Sequence, residues 1–303
     1  MNQAQPYLIV NMQLAQIQKL SPTMTRFTFQ GDQLDQVSSY APDQRVKLFF
    51  PIIGNPEQTL WIENHAEWYQ HYRQLPEQLR PPMRTYTIRH LRPNQKQVDI
   101  DFAMHGATGP ASTWAERAKI GDHLQMAAPN AHWQGDQAGF EWQPPQHARQ
   151  ILLMADETAL PAVSGIIDQL IQQNTQAQVN VYIEMPSELD RIAFTPHPNI
   201  KVQWFHRVQG QSAGHHLIET VQQLFKPTQQ QQVELEDINV DEQILWLTKN
   251  EQQAQQTFYA WVAAESAAVL AIRRFLIQDC GIDKNCLNFM GYWRKGKVFD
   301  CCL

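Results

Sequence analysis

No run of roughly 18 apolar residues occurs anywhere in the 303-residue chain, which excludes a membrane-spanning helix. The opening segment, MNQAQPYLIVNMQLAQIQKL, lacks a basic stretch followed by a sustained apolar core and a small-residue cleavage site. That argues against secretion and for a cytoplasmic protein. Cysteine is scarce: Cys280, Cys286, Cys301 and Cys302 contain no Cys-x-x-Cys pair, so neither a zinc site nor an iron–sulfur site is built from them. Cys280 and Cys286 read as packing residues. The adjacent Cys301 and Cys302 read as free thiols of a terminal tail, with metal binding as the alternative. Basic excess is missing too, because the net charge of -6 disfavours a nucleic-acid binder held by phosphate contacts. Gly and Pro are too few for a fibrous or disordered chain.

What is present is the composition of a globular protein, 43% hydrophobic and 18% charged, long enough for two domains with separate cores. No nucleic acid or membrane is expected as a partner, and a monomer is the expected state. The Gln run at 229–232 reads as a solvated loop insertion.

Two patterns divide the chain. Up to about residue 130, short alternating segments at 26–29, 45–50, 84–89, 98–104 and 123–127 are separated by turn residues, which predicts an antiparallel β-barrel or sandwich. An insertion at 64–79, carrying Trp68, Tyr69 and Tyr72, looks helical and ends before Pro81-Pro82. After a Pro- and Gln-containing stretch at 142–150, strands at 151–154, 179–184, 201–205, 258–263 and 286–291 alternate with helices at 161–172, 215–225 and 265–279. That order predicts a parallel sheet with crossover helices. The expected architecture is an N-terminal β-barrel, 1–147, followed by an α/β Rossmann-like domain, 148–303.

Arg84-Thr85-Tyr86-Thr87-Ile88-Arg89 is the most informative segment. On a strand, Arg84 and Tyr86 share one face while Thr85 and Thr87 share the other. An arginine for a phosphate, an aromatic ring beside a flat ligand and a hydroxyl at its edge suit a flavin dinucleotide; taken alone, the strand is half-buried surface. Downstream, Gly109-Pro110-Ala111-Ser112-Thr113-Trp114 opens a helix. Glycine permits close approach of backbone to ligand, and Ser112 or Thr113 can cap a helix start whose amides attract a pyrophosphate. An ordinary capped helix with Trp114 in the core is the alternative.

These segments, together with Met154-Ala155-Asp156-Glu157-Thr158-Ala159-Leu160-Pro161-Ala162 and Gly291-Tyr292-Trp293-Arg294-Lys295-Gly296, resemble the siderophore-interacting protein family of FAD-dependent, ferredoxin-reductase-like ferric-siderophore reductases. The likeness runs in order over roughly residues 10–297. It implies an FAD-binding barrel and a nicotinamide domain that passes electrons from NADPH or NADH to a ferric siderophore. Tyr86 and Thr87 would lie beside the isoalloxazine, with Arg84 on the same strand. Asp101, Phe102 and His105 would match the following strand, and Gly109, Ala111, Ser112 and Trp114 would hold the pyrophosphate and adenine side. Asp156, Glu157, Thr158 and Ala159 would form the turn facing the flavin, and Lys47 matches a basic position that meets the siderophore.

Physically, the Asp156-Glu157 turn lacks Gly-x-Gly-x-x-Gly, and two carboxylates ahead of a helix would repel a pyrophosphate while stabilising the helix dipole. The nicotinamide cofactor is therefore expected to be gripped loosely or elsewhere. Arg207 is a candidate for a ribose phosphate, with a solvated surface arginine as the equal alternative. On the 45–50 strand, Arg45 and Lys47 share one face and Val46, Leu48 and Phe50 the other. Arg45 and Lys47, with Arg294, Lys295 and Lys297, make a candidate basic pocket for an anionic chelate, though basic residues at strand ends are commonly solvated. Two departures from the family pattern stand out. Ala128-Pro129-Asn130-Ala131 replaces Gly-Pro-Arg-Gly, and Ala263-Ala264 replaces Ala-Gly before Glu265, where a methyl could restrict approach of the nicotinamide. Two other readings stay open: a flavin reductase exchanging electrons with a ferredoxin, and a protein that binds a ferric siderophore without reducing it.

Overall fold

The computed structural model describes residues 4–52, 61–228, 245–247 and 257–297. The chain divides into two compact units that change over between Phe140 and Glu141.

In the first unit β1 (Tyr7–Ser21), β2 (Met24–Gln30), β3 (Arg45–Phe49), β4 (Met83–Arg92), β5 (Gln97–Ala103) and β6 (His123–Pro129) close into a barrel in the order β1-β2-β5-β4-β3-β6. Every neighbouring pair is antiparallel. The alternation expected for β3 holds, because Val46, Leu48 and Phe50 turn into the interior with Phe27, Phe29 and Ile100. β1 was not expected. Its inward series Val10, Met12, Leu14 is broken by a register shift between Leu14 and Gln16, after which Ile17 is exposed, so the period-two signal fades halfway. The short helix α2 (Pro110–Arg117) plugs one end: Trp114 lies 5.5 Å from the Phe27 ring, 5.7 Å from Phe50 and 6.0 Å from Phe102.

Charge on the outer wall is tied down. Asp99 accepts from Thr28 Oγ1 at 2.8 Å and from both Arg92 terminal nitrogens at 2.7 and 2.6 Å. Burial would raise its pKa, but hydrogen bonds from Arg92, His90 and Thr28 hold it well below the usual carboxylate range.

The helical insertion is shorter than expected. α1 (Trp68–Gln74) is followed by Pro76, which supplies no amide to continue it, and then by one 3-10 turn, Glu77–Leu79. Trp68 and Tyr72 pack against Phe49, Met83 and Ala127 on the outside of the barrel wall.

The second unit is built from β7 (Gln150–Asp156), α3 (Leu160–Gln172), β8 (Gln178–Met185), β9 (Ile200–His206), α4 (His215–Leu224), β10 (Trp246–Leu247), β11 (Phe258–Glu265), α5 (Ser266–Arg274) and β12 (Leu287–Trp293). Its sheet runs β10-β12-β11-β7-β8-β9 and is parallel except for β10. α4 and α5 cover one face through Leu217, Val221, Val269 and Ile272. The expected helix at 265–279 is α5 continued by a π-helical turn, Phe275–Asp279.

Cys280 and Cys286 are free and buried, and burial pushes the Cys286 thiol up to about 11, as suits packing residues. Cys301, Cys302 and the Gln run at 229–232 lie outside the described residues. No helix among the described residues is long and apolar enough to cross a membrane. Phe27 is fully buried at the centre of the aromatic cluster, so Phe27→Ala is expected to destabilise the barrel by about 3 to 5 kcal/mol in urea titration. A loss below about 1 kcal/mol would show that the cluster is not the core of this unit.

Candidate functional site

Tyr86 sits on the interior side of β4, where its ring stacks on Phe102 of β5 with centroids 4.1 Å apart and planes at 29°. Burial raises the Tyr86 pKa, partly offset by the nearby Arg84 guanidinium, so the phenol stays protonated. Arg84 pairs across the sheet with Leu48 and therefore shares Tyr86's face, as the strand pattern predicts. Its Nη1 donates to the Met83 carbonyl at 2.8 Å. The β4–β5 register, extended from Ile88↔Ile100, brings Arg84 to the level at which β5 ends and the 104–109 loop begins. Arg84 and Tyr86 thus share the interior face of β4, and α2 seats Trp114 against the Phe50 and Phe102 rings that Tyr86 also touches.

The helix start differs in detail from expectation. Gly109 is the cap residue, Pro110 opens the helix, and Ser112 stands three residues past the cap, at the third helical position. Ser112 Oγ instead reaches back, accepting from the Gly109 amide at 3.0 Å. The amides of Ala111 and Ser112 belong to the first turn, which helix geometry leaves without intrahelical acceptors. A Cβ on Gly109 would meet nothing within 4 Å, so the backbone there borders open space. A cation, aromatic rings and a helix start are groups whose chemistry would suit the phosphates and flat ring system of a flavin dinucleotide.

Other expected residues are placed less directly. Thr85 and Thr87 turn to the outer face, where Lys47 Nζ donates to Thr85 Oγ1 at 2.8 Å. Lys47 is 8% exposed and Arg45 half-buried on that same outer face. Asp101 is engaged by Arg26 through two bonds of 2.7 and 2.8 Å, and Phe102 and Trp114 are held in the aromatic cluster. His105 is exposed in the 104–109 loop. Asn130, standing where an arginine was expected, is 5% exposed; its side chain donates to the Gln5 carbonyl at 2.8 Å and accepts from the His132 amide at 2.9 Å.

In the second unit, the carboxyl ends of the strands gather acids. Asp156 ends β7 fully buried, accepting from the Thr158 amide and Oγ1 at 2.9 and 2.6 Å, the Glu265 amide at 2.8 Å and Trp293 Nε1 at 2.7 Å. Burial and the neighbouring Glu157 push its pKa up to about 6 against the hydrogen bonds of Thr158 and Trp293. Glu157 is raised as well, by burial, with Arg207 opposing. α3 opens without a side-chain cap hydrogen bond, Asp156 instead holding Thr158, the Glu265 amide and Trp293 and Glu157 pairing with Arg207. Ala159 is the residue before its first turn.

Arg207 is neither a solvated arginine nor an unengaged phosphate ligand. It lies 2.5 Å from Glu157 and 3.6 Å from Glu184. Glu184, which the sequence reading missed, ends the apolar run of β8 and accepts from the Gly214 and His216 amides at 2.6 and 2.9 Å. Glu265 caps α5 through the Ala267 and Ala268 amides and also meets Arg294 Nη1 at 3.1 Å and the Lys295 amide at 3.3 Å. Lys295 and Lys297 are exposed around the turn at Gly296. Ala264 is buried in the core with Val269.

A closed antiparallel barrel followed by a parallel α/β sheet defines the class of ferredoxin-reductase-like flavoproteins. The fold of the ferredoxin reductase of carbazole 1,9a-dioxygenase matches with a TM-score of 0.58 at 14% identity, covering 96% of this chain and 71% of that one. Residues 13–133 match the siderophore-interacting FAD-binding domain and residues 148–296 the siderophore-interacting protein model, and the chain belongs to the siderophore-interacting protein family. It is 24% identical over 280 residues to the ferric vibriobactin reductase ViuB of Vibrio cholerae, covering 92% of this chain and 86% of that protein. A siderophore utilization protein from T. fusca shares the fold with a TM-score of 0.69 at 22% identity, over 97% of this chain and 95% of that one.

Because its folded pKa lies above the unfolded value of 3.8, Asp156 favours the fold most when protonated. Its contribution is complete below about pH 4 and is lost as pH rises through about 6, on the order of 3 kcal/mol. Hydrogen exchange at β11 and α5 is expected to quicken correspondingly across that window, after correction for intrinsic rates. Thr158→Val removes a bond that favours the ionised form and is expected to move the Asp156 midpoint upward in carboxyl NMR. An unmoved midpoint would show that the Thr158 hydroxyl does not act on this carboxylate.

Proposed function

We propose that this chain is a flavin-dependent ferric-siderophore reductase, taking electrons from NADPH or NADH and delivering them to siderophore-bound Fe(III), which leaves as Fe(II). The observation that carries the reading is Arg84 and Tyr86 on one face of β4, with α2 packed through Trp114 on the same aromatic cluster, within a match to the siderophore-interacting FAD-binding domain. The relative named a ferric vibriobactin reductase supports the substrate class. When bound, FAD would supply the exchange between a two-electron donor and a one-electron acceptor.

In this reading the first domain, 1–147, holds FAD. Arg84 pairs with a phosphate, Tyr86 and Phe102 form the aromatic floor, Thr85 and Thr87 serve the same strand, and Asp101 and His105 border the ring system. The first turn of α2, with Gly109, Ala111, Ser112 and Trp114, receives the pyrophosphate and adenine side. The second domain, 148–303, receives the donor at the turn formed by Asp156, Thr158 and Ala159, with Arg207 and Glu265 at its border. Arg45 and Lys47 in the first domain and, separately, Arg294, Lys295 and Lys297 in the second each offer positive charge that would attract an anionic ferric chelate. Free Cys280 and Cys286 suit a reducing cytoplasm.

One observation favours a second donor. Glu184 and Glu265 occupy the amides at the starts of α4 and α5 that a dinucleotide phosphate would otherwise use, and Arg207 is already engaged. A reduced ferredoxin, which presents no pyrophosphate, avoids that obstacle.

The purified protein is expected to be yellow and to retain FAD; a colourless protein that takes up no FAD would sink the reading. Arg84→Ala is expected to weaken FAD binding by about 1.5 to 3 kcal/mol in fluorescence titration, and unchanged affinity would remove Arg84 from the site. Anaerobic stopped-flow reduction with NADH, NADPH and reduced ferredoxin, followed by a ferric siderophore, identifies the donor. Flavin that is reduced but never reoxidised by any ferric chelate would leave a binding protein instead. Lys47→Ala is expected to raise KM for an anionic ferric chelate more than KM for the donor, whereas equal changes would assign Lys47 to barrel structure.

A further inference from the structure

The chain leaves β9 and enters α4 at Gly214, where the helix start is unusually constrained. Gly214 has φ +78, and a Cβ there would stand 2.2 Å from the Ala268 Cβ of α5. The buried Glu184 holds the Gly214 and His216 amides, and the Phe205 ring stacks on the His216 imidazole with centroids 5.4 Å apart and planes at 17°. His216 is thus oriented by packing as well as by the backbone. One turn further on, Glu219 reaches both imidazoles: Oε1 lies 3.4 Å from His215 Nε2 and Oε2 lies 3.5 Å from His216 Nδ1. Ligand atoms of all three side chains fall within 4.8 Å of one another. His216 and Glu219 also line a cleft of about 170 Å³ whose other walls include Tyr182, Gln203 and Phe205.

We propose that His215, His216 and Glu219 bind a divalent first-row transition-metal ion, with the cleft leaving room for water or a small oxygen ligand at the remaining positions. Two imidazoles and one carboxylate are a donor set suited to Zn(II), Fe(II), Co(II) or Ni(II), whereas Mg(II) and Ca(II) take oxygen ligands. Ordinary ligand bonds of roughly 2.0 to 2.2 Å bring cis donor atoms to about 3 Å, a short step from the two nitrogen-to-oxygen separations here. The positive end of a helix opposes a cation, but at α4 the Glu184 carboxylate already covers it. Two imidazoles meeting one carboxylate bring together more donor groups than a simple helical ion pair does. The site requires no flavin and does not depend on the reductase reading.

Co(II) titration of the full chain, followed by visible absorption, tests the site. A single stoichiometric ion displaced by Zn(II) is expected, with His215→Ala and Glu219→Gln each weakening it more than about tenfold and the double variant abolishing it. The side chains of His215 and Glu219 are 40% and 51% exposed, so these changes leave the packed His216 in place. Imidazole NMR of the unaltered chain is expected to shift at His215 and His216 when Zn(II) is added, a readout that needs no variant. No bound Co(II), equal affinity in the double variant, thiolate-to-cobalt charge transfer marking the cysteines, or unmoved His215 and His216 resonances would overturn the proposal.

Discussion

The α/β unit is organised around one buried carboxylate. Asp156 accepts hydrogen bonds from Thr158, the Glu265 amide and Trp293, so a single side chain ties the ends of β7, β11 and β12 together. Glycine-rich turns of dinucleotide folds leave that space to a phosphate. Here it is filled by protein, and the cost of burying the acid appears in its raised pKa. The adjoining chain Glu157, Arg207, Glu184 repeats the arrangement: each charge finds its partner within the protein, and the carboxylates that remain occupy helix amides. Electrostatics at this sheet end are therefore set by internal pairing.

The barrel meets the opposite requirement. Its interior is filled by aliphatic and aromatic side chains, and Trp114 packs on the Phe50 and Phe102 rings. Charges on the outer wall, at Asp99 and Asp101, are neutralised in place by Arg92 and Arg26, which keeps the β2–β5–β4 face as scaffold.

Legibility followed the range of the interaction. The strand alternation correctly put Arg84 with Tyr86 and Val46 with Leu48 and Phe50, because facing along a strand is a property of neighbouring residues. Ser112 does serve the helix start, but from the third helical position, because Pro110 opens the helix and leaves the cap position to Gly109. β1 escaped because its bulge interrupts the period. The fate of Arg207 was beyond reach: Glu157 lies 50 positions away and nothing local announces the pair. His215, His216 and Glu219, by contrast, stand at a helical spacing visible in the chain, yet the stacked Phe205 and the capping Glu184 that orient them come from other strands.

From the sequence alone came the two-part architecture, the strand faces and the family, all carried by local periodicity and by motifs in fixed order. Tertiary structure decided which charges are spent on one another. Burial removes water from residues distant in the chain, and only their meeting in space determines whether each finds a partner within the protein or is left to a ligand.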